Sequence, residues 1–177
     1  FADASSFNQQ VNFNTSKVTN MLEMFYCALS FNQPLNFNTN NVSDMACMFC
    51  GAKSFNQKLD SWIVSNVKDM QSMFFDASSF NQPLNSWDVS SVSDMNCMFY
   101  KAKSFNQPLD KWDVSLVTDM NSMFYGAKSF NQPLDSWDVS SVTLMHGMFC
   151  GAYSFNQSLN SWNLLSENDI VDYGTYT

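Results

Sequence analysis

The sequence predicts an α/β repeat solenoid, a stacked coil with one short strand and one short helix in each turn of about 25 residues. Phe-Asn-Gln recurs at Phe7, Phe31, Phe55, Phe80, Phe105, Phe130 and Phe155, at intervals of 24, 24, 25, 25, 25 and 25. All 12 methionines fall in two columns, running from Met21 and Met24 to Met145 and Met148. All 5 tryptophans form one column, Trp62, Trp87, Trp112, Trp137 and Trp162, where the 24-residue units carry Phe13 and Phe37. Self-similarity at a fixed period of this size marks a stacked array, and a β-propeller blade would need roughly 40–50 residues.

Each element follows from periodicity within the unit. From Val117 the apolar positions are Val117, Met120, Met123, Phe124 and Ala127. Those steps trace one face of a two- to three-turn helix. Ser115 or Thr118 is the candidate N-cap, with Asp119 in the positive first turn. Gly51, Gly126 and Gly151 stand where a left-handed residue would end that helix. Around Trp112-Asp113-Val114 the step is two, which reads as a very short strand with Trp and Val inward and Asp outward. Pro34, Pro83, Pro108 and Pro133 share a column just before it, and proline donates no ladder hydrogen bond, so that column is a corner. One such unit cannot bury its own apolar face, whereas stacked units share a continuous core. Residues 1–162 are therefore read as about six full repeats, beginning inside a repeat as in a fragment of a longer array. Residues 163–177 drop the Met-x-x-Met-Phe pattern and read as a C-terminal cap or a transition to another region.

The Asn of Phe-Asn-Gln, from Asn8 to Asn156, follows a core Phe. Its amide is expected to serve backbone groups of its own and neighbouring turns rather than a ligand.

The unit F-N-Q-P-L-D-x-W-D-V-S-x-V-T-D-M-x-x-M-F-x-x-A resembles the repeat of the BspA-like leucine-rich-repeat surface proteins, over residues 1 to about 162. The resemblance implies an atypical leucine-rich-repeat right-handed coil, with Leu109, Trp112 and Val114 in the L-x-x-L-x-L positions. It further implies an extracellular or cell-surface protein used for adhesion or recognition, although no signal, lipobox or wall anchor is visible in the sequence. It supplies no catalytic residues.

Composition narrows the function classes. With 8 basic and 16 acidic residues the net charge is −8, which disfavours nucleic acid and anionic membranes. No apolar run reaches the roughly 18–20 residues of a membrane-inserting helix. His146 is the only histidine and lies in a variable column, so a histidine-dependent nucleophilic site has one candidate, and that one reads as surface. Cys27, Cys47, Cys50, Cys97 and Cys150 do not make a zinc set. Reduced thiols are expected, and only Cys27 and Cys50 are placed to form a bridge. The methionines are expected to pack against Phe rings rather than bind a soft metal. Sequons at Asn14, Asn41 and Asn156 are weak signals in so Asn- and Ser-rich a chain.

No cofactor and no enzymatic activity are expected. The candidate partner-binding residues are the outward aspartates Asp88, Asp113 and Asp138, together with Lys53, Lys103, Lys128 and Tyr153. The aspartates are also a weak calcium candidate, since Ca²⁺ takes several oxygen ligands. The expected partner is a protein or glycan lying along an exposed face. The alternative is a spacer, filament or scaffold subunit contacting its neighbours in an assembly.

Overall fold

The computed structural model describes residues 1–162. The proposed cap at 163–177 lies outside the described residues. The chain winds as a stack of coils, each laying one copy of the repeat on the last. The apolar columns meet inside. Phe25, Phe49, Phe74, Phe99 and Phe124 are fully buried, as are Phe31, Phe55, Phe80, Phe105 and Phe130. Rings of the first column stack on the coil above at 5.5 to 5.7 Å and lie within 4.0 to 4.2 Å of the second column's rings. The Leu, Trp, Val and Ala columns join them, and every methionine packs in this core, Met24 only in part.

Two elements expected from the sequence are absent. Among the described residues there is no helix, and the Met-x-x-Met-Phe segment is a run of tight turns. Nor does a strand form at Trp112-Asp113-Val114; the only β pairing among the described residues is a line of isolated parallel bridges through Asn20, Asp44, Asp69, Asp94, Asp119 and Leu144. The α/β solenoid with a helix in each turn is therefore incorrect for this chain.

The reason is spatial. A helix with its side chains is about 10–12 Å across, and packed helices sit about 8–10 Å apart. Phe74, Phe99 and Phe124, which belong to the expected helix, repeat every 5.5 to 5.6 Å. Helices cannot stack at that step.

The turns satisfy the backbone in another way, which residues 95–102 show. The N–H groups of Met95, Cys97, Phe99 and Lys101 donate across to Asp119, Asn121, Met123 and Tyr125 of the next coil, at 3.0, 2.9, 2.9 and 2.6 Å. Those of Met98, Tyr100 and Ala102 close four-residue turns onto Met95, Cys97 and Phe99. The remaining one, Asn96, donates to the Asp94 carboxylate at 2.8 Å. Every N–H in the segment is thus paired, half of them between coils. The chain achieves this by placing every fourth residue in the left-handed region. Cys97 has φ 55° and Lys101 φ 54°; the equivalent residues of the coil at 145–151 are Gly147, φ 63°, and Gly151, φ 70°. Gly51, Gly126 and Gly151 are left-handed as expected, but as members of this ribbon and not as helix terminators. Ser115 and Thr118 cap no helix, and Asp119 accepts from the Asn121 N–H two residues on, at 2.8 Å.

Side chains tie the other side of the coil. Asn81 Oδ1 accepts the Asn106 N–H and Gln107 Nε2 of the next coil, both at 3.0 Å. The same pair of bonds is repeated from Asn8 to Gln157. The Asn column is a structural ladder. Each Trp indole N–H donates to a Leu carbonyl of the preceding coil, as Trp112 does to Leu84 at 3.0 Å. In the 24-residue units Thr15 and Thr39 replace the inward Val, and their hydroxyls are bonded to Asn38 and Ile63 backbone groups. No buried side-chain nitrogen or oxygen among the described residues lacks a partner.

Candidate interaction faces

With the interior apolar and its polar groups paired, chemistry is left to the exposed columns. Asp88, Asp113 and Asp138 are exposed and point away from the buried Trp and Val beside them, as the alternation required. Each carboxylate accepts the N–H of the serine two residues on, at 3.2, 3.1 and 3.0 Å for Ser90, Ser115 and Ser140. The Ser90 and Ser115 hydroxyls add bonds of 2.6 and 2.7 Å. The serines hold Asp113 and Asp138 below the usual carboxylate range. Asn14 and Asn38, which interrupt the stripe, make the same turn-closing bond to Ser16 and Asn40. The column's shared requirement is thus an acceptor at the turn. Asp88 and Asp113 border a shallow depression of about 430 Å³ that also holds Trp87 and Lys111. Asp138 borders another of about 270 Å³ beside Trp137. Among the described residues no three His, Cys, Asp or Glu side chains converge as a metal site.

Lys53, Lys103, Lys128 and Tyr153 are also exposed. Lys53 pairs with Asp76 at 3.5 Å, the only ion pair among the described residues. Lys128 sits 5.7 Å from the centre of the Tyr153 ring, a cation–π contact.

Beside this column runs one that the sequence reading missed. Tyr26, Phe75, Tyr100 and Tyr125 follow the core Phe directly and so face outward, half-buried, with Cys50 and Cys150 in the same column. Phe75, Tyr100 and Tyr125 form a continuous external stack, 4.4 and 4.6 Å between centres and within 3° and 6° of parallel. Lys101 lies 5.2 Å from the Tyr100 ring centre. The available signal was adjacency: two neighbouring aromatics on a tight turn cannot both point inward.

The remaining candidates fall apart from one another. His146 is exposed, and its backbone N–H donates to Asn121 Oδ1 of the preceding coil at 2.7 Å. All five cysteines are free and half-buried. Cys27 and Cys50 meet through a backbone bond of 2.7 Å from the Cys27 N–H to the Cys50 carbonyl. Burial, helped by the neighbouring Cys47 and Cys27, pushes the Cys50 thiol up to about 12. Burial also raises Cys47 and Cys97. Thiols shifted in this direction are poor nucleophiles at neutral pH.

The model of one repeat family, described as "Mycoplasma protein of unknown function, DUF285", matches residues 1–112 and 82–173. The chain belongs to this family. The two matches overlap because the DUF285 pattern is itself repetitive, and together they take in every coil described above. No curated protein and no solved structure matches this DUF285 chain.

Proposed function

We propose that this DUF285 chain is a non-enzymatic recognition protein whose coils present exposed columns to a macromolecular partner, and that it works at a cell surface. The observation that carries the reading is the division of labour within each coil. Interior polar groups are satisfied inside the fold, whereas the outward Asp, Lys and Tyr columns repeat from coil to coil. A repeated column is suited to contacting an extended partner at several points, where each weak contact adds to the rest. The likeness of the repeat to BspA-like surface proteins supports the adhesive role and the location.

The aromatic column favours a protein over a glycan. Sugars pack on ring faces, but Phe75, Tyr100 and Tyr125 cover one another's faces and offer mainly their edges and the two tyrosine hydroxyls. The tyrosines supply an amphipathic contact of the kind enriched in protein interfaces.

The test is binding of the purified chain to cells or a displayed protein library, compared between wild type and two exposed-face variants, Tyr100→Ala/Tyr125→Ala and Asp88→Asn/Asp113→Asn. Recognition predicts that one variant loses binding while its circular dichroism is unchanged. If both variants bind like wild type and only excision of whole repeats has an effect, the coils act as a spacer instead.

A further inference from the structure

The two charged faces are complementary to each other. On coils spanning residues 101–140, Lys101, Lys103 and Lys128 are exposed, and none of them is in an ion pair among the described residues. Asp110, Asp113, Asp135 and Asp138 are exposed on another side of the same coils, with Lys111 the lone cation among them. Between Lys103 and Asp113 the chain passes over the buried Phe105, Leu109 and Trp112. The two columns therefore lie on different flanks of the core, and no bridge joins them within one molecule.

We infer that these faces bind each other between copies, so that the lysine–tyrosine ridge of one chain lies along the aspartate column of a second. Register is the argument for a second copy over another acidic partner. Lys103 and Lys128 are 25 residues apart, as are Asp88, Asp113 and Asp138, so both columns advance by one coil per charge. A neighbour displaced by whole coils brings both lysines against aspartates at once. The stacked Tyr100 and Tyr125 rings beside the lysines add apolar contact to the ridge.

Each exposed pair is worth only about 0.2–1 kcal/mol, so association requires several pairs and is weak. The contact joins two different faces, which makes it head-to-tail and able to continue laterally. The net charge of −8 opposes assembly only over distances that salt screens, about 8 Å at physiological ionic strength.

Sedimentation velocity on the full chain tests this. At about 0.1 M salt the mean mass is expected to exceed the monomer and to grow with concentration, then return to the monomer near 1 M, where the screening length is about 3 Å. The monomer mass is 20.2 kDa. Lys103→Glu/Lys128→Glu and Asp113→Lys/Asp138→Lys are each expected to weaken self-association by about 10-fold or more, for two exposed pairs reversed. Mixing the two variants is expected to restore association, because each then presents a face that complements the other, and this recovery excludes misfolding as the cause of the loss. A wild type that stays monomeric at low salt, or variants that assemble as wild type does, would overturn the inference. Neither result bears on recognition of a foreign partner, which the binding assay reads separately.

Discussion

Ser122→Gly separates a ribbon of left-handed turns from a helix by the sign of its effect. Ser122 has φ 53°, and the same column holds Cys97 at 55° and, one coil on, a natural glycine, Gly147, at 63°. Holding a residue with a Cβ in this region costs about 1–2 kcal/mol. Glycine removes that cost but has more freedom to lose on folding, about 0.4–1 kcal/mol. The expected balance is a gain of about 0.5–1 kcal/mol, or a rise in Tm of about 1–4 °C for a chain of this size. In the middle of a helix the same change would cost about 0.5 kcal/mol. Ser122→Val supplies the opposite arm: a β-branched residue at positive φ is strained, and a loss of about 1–2 kcal/mol is expected. Thermal and urea unfolding followed by circular dichroism measure both variants. Destabilisation by glycine together with tolerance of valine would refute the left-handed turn at this position.

Asn81→Ala removes the acceptor shared by the Asn106 N–H and Gln107 Nε2. Two bonds of about 1 kcal/mol each are lost and a backbone donor is left unpaired, so urea unfolding should show a loss of about 2 kcal/mol; a change under 0.5 kcal/mol would mean that the ladder contributes little. Asp94→Asn is expected to stabilise at neutral pH. It keeps the acceptor that closes the turn onto Asn96, as Asn20 does for Leu22, and removes a carboxylate whose pKa burial raises, with Asp69 and Asp119 adding to the rise. A carboxyl with a raised folded pKa destabilises once ionised, so its unfavourable contribution is present above that pKa and disappears as pH falls to the unfolded value of about 3.9. Because the group is only partly buried, solvent screening limits the gain at pH 7 to a few tenths of a kcal/mol, on the order of an exposed pair. The difference between variant and wild type should close on acidification, and a gap that widened instead would reverse the assigned sign. Asp113, held low by Ser115, behaves oppositely: its favourable contribution is present above the unfolded value and is lost as pH falls through its depressed folded pKa. Ser115→Ala should raise its NMR-measured pKa, and an unchanged titration would remove Ser115 as the cause.

The columns were legible because burial imposes them. Phe99, Met95, Met98, Leu109 and Trp112 have residue types that only a shared interior explains, and all are at most 3% exposed. The helix was misread because steps such as Met120, Met123, Phe124 and Ala127 are produced equally by a helix and by successive four-residue turns, both of which return to the same side every three or four residues. What distinguishes them is the distance between coils, which one repeat read alone does not contain. A local hint was present: glycine occupies two columns four residues apart, Gly147 in one and Gly51, Gly126 and Gly151 in the other, and a helix has no use for the first. The outward aspartates and lysines were placed correctly on the surface by the two-residue alternation and by their position before Phe-Asn-Gln. The Tyr100–Tyr125 stack was missed because an aromatic residue in so aromatic a chain reads as core.

The fold rests most heavily on backbone bonds that cross between coils. NMR scalar coupling through hydrogen bonds reads them one at a time in isotope-labelled protein. A coupling from the Phe99 amide nitrogen to the Met123 carbonyl carbon is predicted, in line with the 2.9 Å bond between them. A coupling from Phe99 to Met95 instead, the mark of a helix, would contradict the fold.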